Sequence, residues 1–398
     1  MWRNERRIRT VRNIILFILI AAIVTGLGYA AIEVRKGNAV YDSKLSEVSK
    51  QQQELLNAEK QRQVEDIQAE YDKDMETVDR YMPGIVCWGD SLTAGSYGNV
   101  SYPDVLKDYI DKNICDVYDF YTTIDASAAS IQARGEYPVD IPVVNMGSGS
   151  DTTGTVLGRS GAAPFLVSRE LIVPADRTEV QIHFTCADGS EANPLTGGDV
   201  GMNEVSVAGI KGTLSLRENK YYFCRSEEGA ETTVPKDTEL VTAASGLYRN
   251  YIHVVWIGAY TGFETTAELV EQVKTLLSRQ SGNTERFIVI GPGSYYGKWE
   301  TKIDILDRID AAMTAEFGNR YINLRKYLCT DGFADAGMSP TAADKIDIKI
   351  NAVPESFRST NGSVDFSART YNLLGKLVYE RMDKLGYFDE ITAELGIR

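Results

Sequence analysis

The feature that most constrains the fold is an alternation of apolar runs and helical patterns between Pro83 and Arg398. Apolar runs typical of buried strands lie at 84–88, 141–146, 253–257 and 287–291, and 321–328 forms a less regular fifth. Helical patterns lie at 101–112, 263–280, 301–316 and 368–385. Strands that alternate with helices form a parallel sheet covered by helices on both faces. The sequence therefore predicts an α/β domain over 83–398.

Two segments interrupt this alternation. The first, 113–140, shows no pattern that predicts a helix or a strand. The second, at about 165–247, contains short stretches of alternating polar and apolar residues that glycines break apart. We expect this second segment to be a β-rich insertion packed beside the parallel sheet.

The N-terminal residues have the charge pattern of a membrane anchor. Residues 1–12 contain five arginines and one acid, whereas the 19 residues of 14–32 carry no charge. In a helix these span roughly 28 Å, close to the thickness of a bilayer core. Because arginines stay cytoplasmic, we expect a cytoplasmic tail at 1–12, a single-pass transmembrane anchor at 13–33 and an extracytoplasmic main domain. A cleavable signal peptide is the alternative, although the apolar run is longer than a usual signal core.

A helical stalk is predicted at 34–82, between the anchor and the domain. The sequence from 38 to 82 has no glycine or proline, and its apolar residues recur at spacings near 3 and 4. Gln52, Glu59 and Arg62 interrupt the apolar stripe, which argues against a strict coiled coil. A stalk that lifts the domain off the membrane is the favoured interpretation, and a homodimer through the stalk is the alternative that the pattern leaves open.

Composition excludes several classes of function. A net charge of −14 argues against nucleic acid as a partner, since phosphate binding needs clustered Lys and Arg. No Cys or His spacing typical of a zinc site is present, and we predict neither a metal nor a cofactor. Five cysteines are too few for a disulfide scaffold. Cys186 and Cys224 are the expected pair if one forms, and five separate thiols are the alternative.

Ser91 is the main candidate for a functional residue. It follows the apolar run 85–88 and Gly89, so it lies at the C-terminal end of a predicted parallel strand. Open α/β sheets bind their ligands at this edge. A serine here exposes its Oγ, and its backbone N–H points at any oxygen bound there. The alternative role is structural, in which Ser91 caps the next helix.

Four stretches of the chain resemble the sequence blocks of the SGNH (GDSL) hydrolases. Trp-Gly-Asp-Ser-Leu-Thr at 88–93 is similar to the first block, 143–147 to the second and 254–258 to the third, and 371–380 is similar to the helix after the last block. The resemblance covers about 83–150 and 248–390. It implies a three-layer α/β/α sandwich of the SGNH or flavodoxin-like type, and hydrolysis of esters by a serine nucleophile.

The resemblance also implies which residues surround the nucleophile. The family uses backbone N–H groups of the serine and of a second-block glycine, an Asn side chain of the third block, and an Asp-x-x-His before the last helix. In this chain Ser150 takes the place of that glycine, Tyr260 that of the Asn and Asp365 that of the His. We therefore expect Ser91 and Asp365 as catalytic residues, and Gly147, Ser150 and Tyr260 around the oxyanion or substrate.

Neither of the two histidines is expected to serve as the base. His253 opens the strand that ends at Gly258, some 16 Å from the reactive end at about 3.3 Å per residue. His183 lies on the polar side of an alternating strand in the insertion. Asp365 is then the remaining candidate, and a carboxylate is poorly matched to a serine hydroxyl at pH 7 unless burial raises its pKa.

Two functions from different classes follow. In the first, the protein is impaired or inactive as an esterase. Its pocket then binds an acylated glycan of the cell envelope, or the protein scaffolds other envelope proteins. In the second, it is an active acetyl or acyl esterase that uses Ser91 and a base other than histidine. The missing histidine favours the first, because loss of a triad member typically costs several orders of magnitude in rate. A third interpretation, in which the stalk and the insertion bind a partner protein, uses no pocket.

Overall fold

The computed structural model describes residues 15–25, 39–95, 100–118, 139–259, 262–282, 284–294, 302–359 and 365–397. The chain forms two compact units. The first comprises Met1–Arg80, Lys112–Asp140 and Ile391–Arg398, and the second comprises Tyr81–Asp111 and Ile141–Glu390.

Secondary structure is numbered in chain order over these described residues. The strands are β1 (Ile85–Gly89), β2 (Val143–Gly147), β3 (Phe165–Val167), β4 (Leu171–Val173), β5 (Val180–Ile182), β6 (Phe184–Thr185), β7 (Val205–Val207), β8 (Ile210–Arg217), β9 (Lys220–Arg225), β10 (Thr232–Val234), β11 (Glu239–Val241), β12 (Ile252–Trp256), β13 (Phe287–Ile290) and β14 (Tyr321–Ile322). The α-helices are α1 (Ala39–Tyr81), α2 (Ser91–Ala94), α3 (Tyr102–Ile110), α4 (Thr153–Ser160), α5 (Thr266–Leu277), α6 (Ile303–Phe317), α7 (Leu324–Cys329), α8 (Gly332–Asp335), α9 (Ala342–Lys349), α10 (Ala368–Lys384) and α11 (Asp389–Glu394).

The first unit is dominated by the 43-residue helix α1, which occupies most of the predicted stalk. Its apolar residues Leu55 and Val64 are exposed. A second helix covers 15–25, within the predicted anchor, whose remaining residues 13–14 and 26–33 lie outside the described residues. Over the described ranges, no helix has both the length and the apolar character needed to cross a membrane.

The segment 113–140, which the sequence left without a predicted element, begins as a continuation of α3. A π-helical turn covers Asp111–Cys115, and α-helix follows to Tyr118. The Tyr118 hydroxyl donates a hydrogen bond to the carboxylate of Asp74 in α1. Residues 119–138 lie outside the described part of the chain.

The second unit is built on the predicted parallel sheet. Its strand order is β2-β1-β12-β13-β14, and every pairing is parallel. Counted along the chain, these strands run 2-1-3-4-5, so the order reverses between β1 and β12, where doubly wound sheets bind ligands. Gly89 lies opposite Gly147 on one side and Trp256 on the other. The switch point thus lies directly before Ser91.

Helices pack on both faces of this sheet, as the strand–helix alternation predicts. Val86 and Trp88 of β1 share a buried cluster with residues of α4, α5 and α6. On the opposite face, Tyr102 of α3 packs edge-on against the Trp256 ring, with centroids 5.6 Å apart. Alternation of side chains along β1 places its two sets of apolar residues on these two faces.

The four clear strand predictions agree with the structure to within two residues, but the fifth differs. The segment predicted at 321–328 contains only the two-residue strand β14, and α7 follows at once. Asn323 ends the strand, because its side-chain Oδ1 accepts a hydrogen bond from the Lys326 N–H (2.9 Å) and caps the new helix.

The segment where the β-rich insertion was predicted contains nine strands, β3–β11. Seven form an antiparallel sheet in the order β5-β9-β8-β7-β11-β3-β6, and β4 pairs with β10 in a separate ribbon. The two edges of the seven-stranded sheet are β5 and β6, which only His183 separates in the chain. The sheet therefore closes on itself as a small barrel around a buried apolar core.

The expected pair Cys186–Cys224 is wrong, since all five cysteines are free. Cys186 belongs to the buried core of the insertion, together with Phe223. Cys224 follows Phe223 in β9, so its side chain points to the opposite face of the sheet. Its Sγ lies 3.1 Å from the carbonyl oxygen of Arg177.

We predict that the unfolded protein presents five reactive thiols without any reductant. Denaturation in guanidinium with a maleimide of known mass, followed by intact mass measurement, should show five additions. A reduced sample serves as the control. Three additions before reduction and five after it would contradict the structure.

Candidate functional site

Ser91 begins a short helix that another residue caps. The N-cap of α2 is Asp90, whose Oδ1 accepts a hydrogen bond from the Leu92 N–H (2.9 Å). Trp88, Gly89, Asp90 and Leu92 are buried, whereas Ser91 is partly exposed. The structural alternative, in which Ser91 caps the helix, is therefore wrong. The hydroxyl that the sequence predicts at the sheet edge stands at the topological switch point.

Two glycines allow the backbone segments around Ser91 to approach one another closely. A Cβ on Gly89 would lie 2.5 Å from the Trp256 carbonyl oxygen, and one on Gly147 would lie 2.5 Å from the Thr93 carbonyl carbon. Real Cβ atoms essentially never come closer than 3.0 Å to such atoms. The N–H of Gly147 donates to Oδ1 of Asn145 (2.9 Å). Gly147 thus lies against the backbone of α2, where this geometry gives it a packing role.

The loop between β2 and α4, 148–152, contains the second expected donor. Its first residue, Ser148, donates its N–H to the Gly89 carbonyl oxygen (3.2 Å), which holds the loop against the end of β1. Ser150 has a φ of 69°, in the left-handed region that glycine favours. Ser150 is also exposed. Ser150 thus has a backbone conformation that glycine adopts more readily than other residues.

A buried ion pair that the sequence analysis missed organises this loop. Arg159 of α4 donates from Nε and Nη2 to Oδ2 of Asp151, at 2.9 and 2.7 Å, and both side chains are almost fully buried. Nη2 also donates to the Gly89 carbonyl oxygen (3.3 Å). Removing one partner of such a pair typically costs about 3–5 kcal/mol, because the other charge is left buried and alone.

Asp90 and Asp365 are brought into electrostatic range of each other. Burial raises the pKa of Asp90 to about 7, the Leu92 N–H opposes this, and the charges of Asp151 and Asp365 raise the pKa further. Asp365 is itself buried, and its carbonyl oxygen accepts from the Ser359 N–H (2.9 Å). The structure therefore places the predicted alternative base near the turn that carries Ser91.

One expected site residue and part of the segment before α10 lie outside the described residues. These are Tyr260 and 360–364. The chain is held on either side of Tyr260. Gly258 follows two residues after the end of β12, and the Gly262 carbonyl oxygen accepts a hydrogen bond from Thr153 Oγ1 (2.6 Å). Gly262 thus lies against the start of α4, which follows the loop that contains Ser150.

Neither histidine is in a position to act as a base for Ser91. His253 lies opposite Val86, three residues before the end of β1. Its Nε2 lies 3.1 Å from the Tyr248 carbonyl oxygen, and burial lowers its pKa to about 4. His183 joins β5 to β6 in the insertion and contacts the guanidinium of Arg169. The expectation that neither histidine serves as the base agrees with these positions.

The site therefore combines a partly exposed hydroxyl, a loop with one left-handed residue and several carboxylates. Within the described ranges, no three His, Cys, Asp or Glu side chains are grouped so that they could bind a metal ion. The groups present can bind an oxygen-rich ligand through backbone N–H donors and the Ser91 hydroxyl. They do not include an imidazole to take the hydroxyl proton.

We predict that Asp90 makes stability fall as the pH rises from about 4 to about 7. Because its pKa is raised in the folded state, the folded protein holds a proton that the unfolded protein has lost over this range. Asp90→Asn keeps an oxygen to cap α2 but removes the titration. Between pH 5 and pH 8, denaturant unfolding should show the wild type losing about 2–3 kcal/mol more than the variant. Parallel pH profiles for the two proteins would contradict this.

Comparisons of the whole chain with protein families, with curated proteins and with solved structures find no significant match.

Proposed function

We propose that this protein is a membrane-anchored, extracytoplasmic member of the SGNH hydrolase type that binds acylated glycans of the cell envelope and hydrolyses them slowly or not at all. The single observation that carries the proposal is a serine at the switch point of a 2-1-3-4-5 parallel sheet with both histidines held elsewhere. Serine attack on an ester needs a base within hydrogen-bond reach of the hydroxyl.

The loop geometry supports binding of an ester or amide oxygen at this place. The left-handed Ser150 and the start of α2 both flank the end of β1, where backbone N–H groups can meet an oxygen of the ligand. The fixed ion pair of Asp151 and Arg159 holds one of these segments without the ligand being present. Such preorganisation favours binding even when proton transfer is slow.

Asp365 supports a second candidate, an active serine esterase. Its charge acts on Asp90, the residue next to Ser91. Carboxylates in general are a weaker match to a serine hydroxyl than an imidazole, because the ordinary pKa of a carboxyl group is lower than that of an imidazolium. If the protein is an active esterase, its rate of ester hydrolysis depends on both Ser91 and Asp365. If the site only binds the ligand (a silent site), neither residue affects the rate of hydrolysis.

The membrane location rests on the sequence and on the helix at 15–25. The apolar side chains of this helix, among them Ile15, Phe17 and Ile23, are exposed. The arginine-rich segment 1–12 supports a cytoplasmic N-terminus and an extracytoplasmic main domain. We propose that helix α1 serves as the stalk of this single-pass protein, and the homodimer through α1 remains an alternative.

We predict that the full-length protein, in detergent, binds an O-acetylated N-acetylglucosamine oligosaccharide without reacting with a fluorophosphonate. Calorimetry should show saturable binding that Ser91→Ala retains and that Ser91→Trp abolishes, because the indole would fill the site. Mass spectrometry should find no fluorophosphonate adduct on Ser91 while chymotrypsin in the same tube is fully labelled.

The controls separate the two candidate functions. The same oligosaccharide without acetyl groups should bind at least tenfold more weakly, and circular dichroism should show that each variant is folded. An adduct on Ser91 that disappears in Asp365→Asn would overturn the silent site in favour of the esterase. Absence of both binding and labelling in folded protein would overturn the binding function.

A further inference from the structure

One turn of the β-rich insertion reaches the loop that contains Ser150. This insertion turn, 195–198, is closed by an isolated antiparallel bridge between Leu195 and Gly198. The hydroxyl of Tyr221 in β9 donates to the carbonyl oxygen of Pro194 (2.5 Å), which ties the turn to the barrel. The turn is therefore held from behind by the insertion.

The insertion turn meets the β2–α4 loop backbone against backbone. A Cβ on Gly197 would lie 2.6 Å from the carbonyl oxygen of Gly149 and 2.8 Å from its Cα. The φ of Gly197 lies outside the left-handed region, so the close contact alone requires a glycine at this position. Gly149 directly precedes Ser150. Any displacement of Gly149 is thus transmitted to the backbone of Ser150.

The Arg159 guanidinium links the same two segments a second time. Its Nη1 donates to the carbonyl oxygen of Val200, just after the insertion turn (3.3 Å). Its other nitrogens hold Asp151, at the far side of Ser150, and the end of β1 at Gly89. One buried side chain therefore fixes the turn, the loop and the strand that precedes Ser91.

We propose that the insertion turn forms one wall of the Ser91 site, and that Gly197 is a positioning residue that sets the backbone of Ser150. The role of the turn as a wall rests on the proposed function, because this role presumes that a ligand enters beside Ser91. Thr196 and Gly197 are exposed, so this side of the contact is open to the sugar part of a glycan ester. The insertion would then select the glycan while β1 and α2 receive the acyl group.

The test compares the full-length protein with Gly197→Ala and with a matched control, Gly246→Ala. A Cβ on Gly246 meets only open space, and its φ is not in the left-handed region. Hydrogen exchange of peptides that cover 147–152 should rise at least threefold in Gly197→Ala and stay unchanged in Gly246→Ala. Tyr221→Phe, which frees the turn without a clash, should raise exchange in the same peptides to a smaller extent.

Binding is the second measurement, with the O-acetylated N-acetylglucosamine oligosaccharide as probe. Gly197→Ala should raise the Kd of this acetylated probe about tenfold. Because the proposed wall contacts the sugar, the Kd of the unacetylated probe should rise by the same factor. Unchanged exchange at 147–152 in both Gly197→Ala and Tyr221→Phe would overturn the positioning role. If the wild type binds no probe, the proposed function fails and the wall with it, yet the exchange data still decide the role of Gly197.

Discussion

The arrangement of the site depends on one buried ion pair, between Arg159 and Asp151. Both charges are out of contact with water, so their desolvation must be offset by the contacts they make with each other and with carbonyl oxygens. Those contacts join segments that are distant in the chain: the end of β1, the β2–α4 loop and the insertion. A buried ion pair is stable only within a small range of distances and angles. The pair therefore restricts the positions that these segments can take relative to Ser91.

The chemistry of the site follows from which groups this framework brings together. Ser91 lies at the switch point of the parallel sheet, and Ser150 takes up a backbone conformation that favours glycine. Several of the neighbouring titratable groups are carboxylates, and burial together with like charges raises the pKa of Asp90 to about 7. A carboxylate with such a raised pKa can exchange protons near neutral pH, but Asp90 is buried and its Oδ1 caps α2 through the Leu92 N–H. Both histidines lie elsewhere, so the framework offers Ser91 no imidazole as base.

The sequence predicts the sheet well because apolar runs and glycine turns are local signals. Prediction from the sequence fails where a contact between residues distant in the chain determines the local structure. The contacts of Asp151 with Arg159 and of Gly149 with Gly197 are examples. The cysteine pair failed for a related reason, since sharing a β-rich segment does not fix which face of a sheet a side chain occupies. The role of Asp90 as helix cap was missed because Ser91 could fill it equally well by sequence.

The central claim is that neither of the two histidines lies where it could take the proton of the Ser91 hydroxyl. The most direct measurement is the initial rate of hydrolysis of 4-nitrophenyl acetate by the full-length protein and by Ser91→Ala, from pH 6 to pH 8. The two rates should agree within about twofold at every pH, because neither histidine of the wild type is in a position to activate the Ser91 hydroxyl. A wild-type rate more than tenfold above that of Ser91→Ala would contradict the account.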